Sequence, residues 1–418
     1  MGRGRRIMSA VVADIRPLRE SAHFRRLWVG ITVGQLGQQM TNVAVAYQVW
    51  SLSGSSFAVG LVGAAAVVPM IVFGLYGGTL VDTFDRRRVA IVASTGLWLL
   101  SIVLVLQAAL DLGQLWLLYL VVAGQAAFFA VNNPARQAIV PRLIRPELLP
   151  SANALSTLSF SLGFTVGPLA GGFLLAVSSG EFTLPYAVDA VTYLAALYAL
   201  WRLPPVPPQG PPRAAGFRSM LEGFRFVRTR TNVLMTFLVD LCAMVLAQPR
   251  ALFPELADTV YGGGSRILGV LQAAPAMGAL AAALSSGWLH RIRRQGLAIL
   301  VCVIGYGASV AMFGLVGSLW VGVLFLALSG AFDMVSAAFR STILQVAAPD
   351  EMRGRLQGVF VVVVAGGPRL GDLAAGSLGA IIGPTLAVVV GGCACMVATT
   401  LLAVRFRGFA HYDAHAPQ

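Results

Sequence analysis

The sequence predicts an all-α membrane protein in which twelve transmembrane helices form two pseudo-symmetric bundles of six. Three observations carry this. Of 418 residues, 57% are hydrophobic and only 11% charged, too apolar a composition for a soluble globular chain. The apolar residues fall into twelve runs of membrane-spanning length, at 27–49, 57–81, 89–110, 114–134, 152–177, 183–202, 232–250, 266–289, 296–315, 319–340, 356–380 and 383–404; about 20 such residues cross the hydrocarbon core as a helix. The halves also repeat. A shift of 204 residues superposes Arg136 on Arg340, Ile139 on Ile343, Glu147 on Glu351, Gly163 on Gly367, Gly167 on Gly371, Leu169 on Leu373 and Gly172 on Gly376. Duplicated halves around a central site are a design of secondary transporters.

The net charge of +13 does not point to nucleic acid, because the thirty basic residues, all arginine, are gathered between the apolar runs. With the N-terminus in the cytoplasm, 27 of the 30 lie on the inner side; Arg250 and Arg266 fall outside and Arg369 within a span. This asymmetry orients the chain with both termini cytoplasmic. The segments are then a tail at 1–26, a first bundle at 27–202, a linker at 203–231, a second bundle at 232–404 and a tail at 405–418. The arginines near the N-terminus precede no apolar core with a small-residue cleavage site, so a tail is expected there and not a signal peptide.

In the first span Gln35, Gln38, Gln39 and Asn42 recur at i, i+3, i+4 and i+7, lining one helical face with amides. Amides facing lipid would be costly, so this face looks into the bundle, either onto a water-filled cavity or onto neighbouring helices that it hydrogen-bonds. Gln125 in the fourth span is a further cavity candidate.

Between spans 2 and 3 runs Gly77-Gly78-Thr79-Leu80-Val81-Asp82-Thr83-Phe84-Asp85-Arg86-Arg87-Arg88. Glycine permits close helix approach, and each arginine would cost roughly 2.5–3.5 kcal/mol inside the membrane, which holds this hairpin in the cytoplasm. Asp82, a carboxylate at a helix end beside cations, can bridge to a neighbouring helix start or an arginine and release when helices move. A static positive-inside hairpin is the plainer alternative.

The fifth span carries Gly163, Gly167, Pro168, Gly171 and Gly172. Small residues along one side make a close-packing helix, and the proline removes a backbone bond and permits a bend. The linker opens Leu203-Pro204-Pro205-Val206-Pro207-Pro208, an extended spacer; its basic continuation, with Phe217, Leu221, Phe224 and Phe226, is expected along the inner leaflet.

Buried charge is scarce in the spans: Asp189, Asp240, Asp333, Arg369 and Asp372. Intramembrane ionisable residues are functional candidates by default. Desolvation lets such carboxylates trade a proton, which makes Asp240 and Asp333 candidate proton sites. Arg369 and Asp372, three apart on one helix, serve either coupling or mutual neutralisation.

Cys242, Cys302, Cys393 and Cys395 all lie in apolar runs, and the histidines at 23, 290, 411 and 415 are scattered, so neither a disulfide nor a metal site is expected. With no Walker-type phosphate loop and no nucleophile-and-base set, the sequence describes neither an enzyme nor an ATP-driven pump, and no cofactor is called for.

The Gly-x-Leu-x-Asp-x-x-x-Arg-Arg-Arg hairpin resembles the signature loop of the major facilitator superfamily, with Asp85 where glycine is usual. The pattern at 163–172 is similar to the antiporter motif of its exporters. The stretch from Asn133-Pro134-Ala135-Arg136 to Leu155 resembles its branch of enterobactin exporters and macrolide-efflux proteins. The resemblance covers 24–404. It implies a cytoplasmic gate at Gly78, Asp82, Arg86, Arg87 and Arg88, and proton-driven export of a small amphipathic molecule by alternating access. A siderophore is the first expectation, with macrolide or multidrug efflux and passive facilitation as alternatives. Protons and membrane lipid are the other implied partners, and a monomer is favoured. Two positions depart from the pattern. Leu120 stands where drug antiporters carry an arginine in span 4, and the second-half counterpart of the gate loop, 287–294, lacks the acid.

Overall fold

Proline and glycine punctuate the chain, and the helices run between them. The structure, a computed structural model, describes residues 14–208, 217–347, 359 and 361–413. These residues form helices and connecting turns, with no strand among them. Helix α1 (Ala22–Ser53) starts on the Ser21 hydroxyl, which accepts the Phe24 amide at 3.2 Å, and stops at Gly54, whose φ of +58° disfavours any side chain. Then follow α2 (Ser56–Thr83), α3 (Arg86–Ala109), α4 (Leu115–Ile139), α5 (Leu149–Val177) and α6 (Thr183–Trp201). After the linker come α7 (Thr231–Leu241), α8 (Gly264–Leu284), α9 (Gln295–Leu315), α10 (Leu319–Ala347), α11 (Gly366–Ile382) and α12 (Pro384–Arg405).

Among the described residues, ten helical segments are long and apolar enough to cross a membrane. Helix α1, though 32 residues long, falls outside these ten because of its amides, and α11 because 17 of its residues are described. The chain is thus a multi-span helical membrane protein. Large apolar side chains cover its outside, Val92 at 67% exposure and Ile381 at 79% among them, as a lipid solvent requires.

The seventh run, expected as one helix over 232–250, is broken. Helix α7 ends at Leu241, a π turn spans Cys242–Leu246, and helical turns resume from Arg250 to Val260. Pro249 lacks the N–H that a continuous helix needs, and within the break the Ala247 carbonyl accepts from the Tyr306 hydroxyl at 3.4 Å.

Helix α1 packs on α5 and α6, α2 on α4, and α3 on α4 and α6; later in the chain α8 packs on α10, and α9 on α10 and α12. Two junctions tie the first six helices to the rest, α2 against α11 and α5 against α8. Both are backbone contacts. A Cβ on Gly269 would lie 2.5 Å from the Pro168 carbonyl, and one on Gly60 would lie 2.7 Å from that of Asp372. Gly172 faces Ser265 and Gly269, and Gly376 faces Ser56 and Gly60, in the same manner.

The linker differs from its expectation. Its first residues are strapped to the hairpin after α2: the Arg86 amide donates to the Val206 carbonyl at 3.1 Å, and Leu203 and Val206 are buried. Its helix, Phe217–Thr229, turns Phe224 and Phe226 onto a cluster with Val233, Phe237 and Val363. Those rings therefore cover protein instead of lying along lipid; Leu221 is exposed, and the Phe217 side chain lies outside the described residues. Ahead of α1, Asp14 bonds to Arg16 and to Ser151 at the start of α5, and the Arg16 guanidinium holds its carboxyl well below the usual carboxylate range.

Candidate functional site: a cavity and two seams

Helix α1 places its amides by turning glycines the other way. A Cβ on Gly30 would lie 2.8 Å from the Ala195 carbonyl, and Gly37 abuts Thr192, so one face locks onto α6. The remaining face opens on a cavity of about 390 Å³ between α1, α4, α5 and α6. Gln35 and Gln38 line it; Gln39 and Asn42 do not, since the Asn42 amide donates to Gln39 at 2.9 Å and Gln39 lies buried beneath Gly167. Gln125 is half-buried on α4 and also absent from the lining. Leu120 is 60% exposed on the outer surface of the same helix.

The wall of the cavity holds a residue that charge counting assigned to a cytoplasmic loop. Helix α4 continues past the expected end at 134 to Ile139, so Arg136 sits in the helix and faces the cavity. Its Nη2 donates to the Ser94 hydroxyl at 3.3 Å, and the guanidinium also contacts the Tyr193 hydroxyl. Among the described residues it makes no ion pair. Beside it, Asn132 donates to the same Ser94 oxygen at 2.8 Å.

The same correction applies to Arg340, its counterpart in the repeat, because α10 runs to Ala347 and not to 340. Arg340 pairs with Asp240 and, at 3.3 Å, with Asp333. The two acids singled out by the sequence therefore form one network, Asp240 buried and Asp333 part-exposed, around a cation that sequence reasoning left in solvent. Its signal was the repeat itself, which aligns Arg136 with Arg340. Asp189 is buried on α6 and accepts from the Ser101 hydroxyl at 2.7 Å. On α11, Asp372 lies within the electrostatic reach of both Arg250 and Arg369, against the Gly63 turn of α2.

The glycines of α5 divide between two partners. Gly163, Gly167 and Gly171 seat α1, whose Gln35, Gln39 and Met40 a Cβ would meet at 2.8, 2.5 and 2.9 Å; Gly172 turns to α8. Polar bonds cluster at the same end as the α5–α8 and α2–α11 seams. Asp258 accepts from Trp50 at 2.7 Å and Tyr47 at 3.2 Å, and Ser56 donates to Glu255. This end carries the turns after α1 and α5, whereas the cavity occupies the opposite end, where α1 begins and α4 finishes.

At that opposite end lies the charged hairpin. Asp85, not Asp82, caps α3 there, accepting the amides of Arg87 at 2.9 Å and Arg88 at 3.3 Å. Arg86 donates to the Ala138 carbonyl at 3.3 Å, and Arg87 to the Trp201 carbonyl at 2.7 Å, tying α3 to the ends of α4 and α6; Arg88 is exposed. Asp82 makes no ion pair among the described residues and is half-exposed, and the space above Gly78 is open.

The profile of the family described as transmembrane secretion effector matches residues 12–416. The chain is 30% identical over 401 residues to enterobactin exporter EntS of Escherichia coli (strain K12), covering 96% of each. It is 31% identical over 385 residues to enterobactin exporter EntS of Shigella boydii serotype 18, covering 92% of each. Among solved structures it is similar to a bacterial homolog of the human lysosomal transporter Spinster in an inward-facing, unoccupied conformation. That match has a TM-score of 0.71 at 17% identity, over 96% of this chain and 98% of the other.

Proposed function

The chain belongs to the transmembrane secretion effector family of the major facilitator superfamily and is a transporter, not an enzyme; from that premise we propose that it exports a siderophore-like amphipathic molecule by proton antiport. In this reading twelve spans form two six-helix bundles that rock against each other, the cavity lying on the first, in a bacterial inner membrane, with both termini and the arginine-rich hairpin cytoplasmic. The observation that carries it is the asymmetry between the ends: seams and polar bonds join the bundles at one end, while the polar cavity lies at the other. The joined end is then external, and the cavity takes substrate from the cytoplasm.

Asp82 is the latch of the opposite state, engaged when the cytoplasmic end closes. Asp240 and Asp333 exchange the proton: protonating either weakens its hold on Arg340 and frees α10 from α7. Arg369 and Asp372 set the charge at the α2–α11 seam, next to Arg250.

The test is uptake into inside-out vesicles, comparing a catecholate siderophore with a macrolide, with and without an acidic interior. Siderophore accumulation that depends on the gradient, and that D240N or D333N uncouples from it, is the expected result. Accumulation of the macrolide alone would overturn the substrate, and mere equilibration would overturn the antiport.

A further inference from the structure

The repeat sets two partly buried arginines at matching positions and treats them differently. Arg340 is neutralised by two carboxylates, Asp240 and Asp333. Arg136 has the hydroxyls of Ser94 and Tyr193, both neutral, and no acid partner among the described residues. A guanidinium away from bulk water is costly unless an anion meets it. Of the acids on the helices packed against it, Asp189 on α6 is turned to the Ser101 hydroxyl at 2.7 Å, and Asp82 at the end of α2 makes no ion pair among the described residues. Asn132, buried beside Arg136, spends its amide N–H on Ser94 and leaves its Oδ1 without a partner.

The rest of the lining mixes aliphatic and hydroxyl side chains with four further aromatic rings. Phe24 and Trp28 on α1, Phe129 on α4 and Phe160 on α5 surround the space, and the Trp28 indole is fixed by a bond to the Leu155 carbonyl at 2.9 Å. Aromatic rings beside one fixed cation and a few amides match a planar ring that carries a negative charge. A volume of about 390 Å³ holds such a head group, at the lower end of the roughly 300–1,000 Å³ of small-molecule sites.

We propose that Arg136 is an anion-recognition residue and that the cavity takes a ring-bearing organic anion, a phenolate or carboxylate on an aromatic ring. This deepens the export reading, on which it rests only in taking the cavity as the substrate's path. It divides the labour between the halves: the first recognises the anion through an uncompensated arginine, and the second handles the proton through a compensated one.

Equilibrium binding of radiolabelled salicylate to the purified full chain in nanodiscs, with its neutral amide as competitor, tests this. Salicylate should bind at least about tenfold more tightly than salicylamide. R136Q should weaken salicylate roughly 10- to 100-fold and leave salicylamide unchanged, and R136K should restore part of the preference. Equal binding of acid and amide, binding of neither, or an undiminished preference in R136Q would each overturn the proposal. The wild-type comparison decides even where R136Q does not fold. Vesicle flux measured in parallel separates the two readings: anion preference without gradient-driven flux would sink the pump alone, and flux without the preference would sink this site alone.

Discussion

At the residue scale, two aspartates three positions apart have opposite duties. Asp85 accepts the free amides at the start of α3, and such caps contribute about 1 kcal/mol. D85A should therefore lower the thermal unfolding temperature of the purified protein, whereas D82N should leave it unchanged and alter transport. Arg340 offers a sharper contrast. R340M would leave the buried Asp240 without its cation, a loss of roughly 3 kcal/mol, and denaturation in detergent should find it below D240N in stability. Charge patterning could not reveal this. Counting arginines by side orients a chain well, but it treats each arginine near a span's end as solvent-exposed, and so it overlooked Arg136 and Arg340. The polar run Asn132-Asn133-Pro134-Ala135-Arg136-Gln137, extending a helix by one more turn, was the local clue.

At the element scale, hydropathy shows where helices run but not where one breaks. The turn at 242–249 depends on a hydroxyl from α9, distant in sequence. Glycine spacing marked α5 as close-packing, yet only the fold shows that Gly163, Gly167 and Gly171 serve α1 while Gly172 serves α8. Likewise, the amide row of α1 was legible as polar, but its division into cavity-facing Gln35 and Gln38 and the internal pair Gln39 and Asn42 was not, because partners decide it. G172A and G376A each add a Cβ against backbone of the opposing helix, which cannot yield as a flexible side chain can. Both should open the joined end, measured as faster labelling of a cysteine placed at Ser56, while G78A, with open space above it, should label like the parent.

At the scale of the whole molecule, the proposed alternating-access cycle requires the joined end to part once per turn. A cysteine pair at Ser56 and Glu255, in a background lacking Cys242, Cys302, Cys393 and Cys395, should form a cross-link under oxidation and stop vesicle transport completely. Reductant should restore it. Full transport with the link intact would show that this end never opens. The all-helical, multi-span plan was legible in the sequence because lipid imposes one rule on every span. Which end is joined was not, because that follows from contacts between residues some 200 positions apart, such as Tyr47 with Asp258.

One of those contacts carries its own signal. The Trp50 indole donates to a carboxylate, Asp258, at 2.7 Å, and parting of the two ends exchanges that negative charge for water. Indole emission responds to a neighbouring charge, so the chain has an intrinsic optical probe at its joined end. Stopped-flow fluorescence, with W50F as the blank, would time each opening without any attached dye.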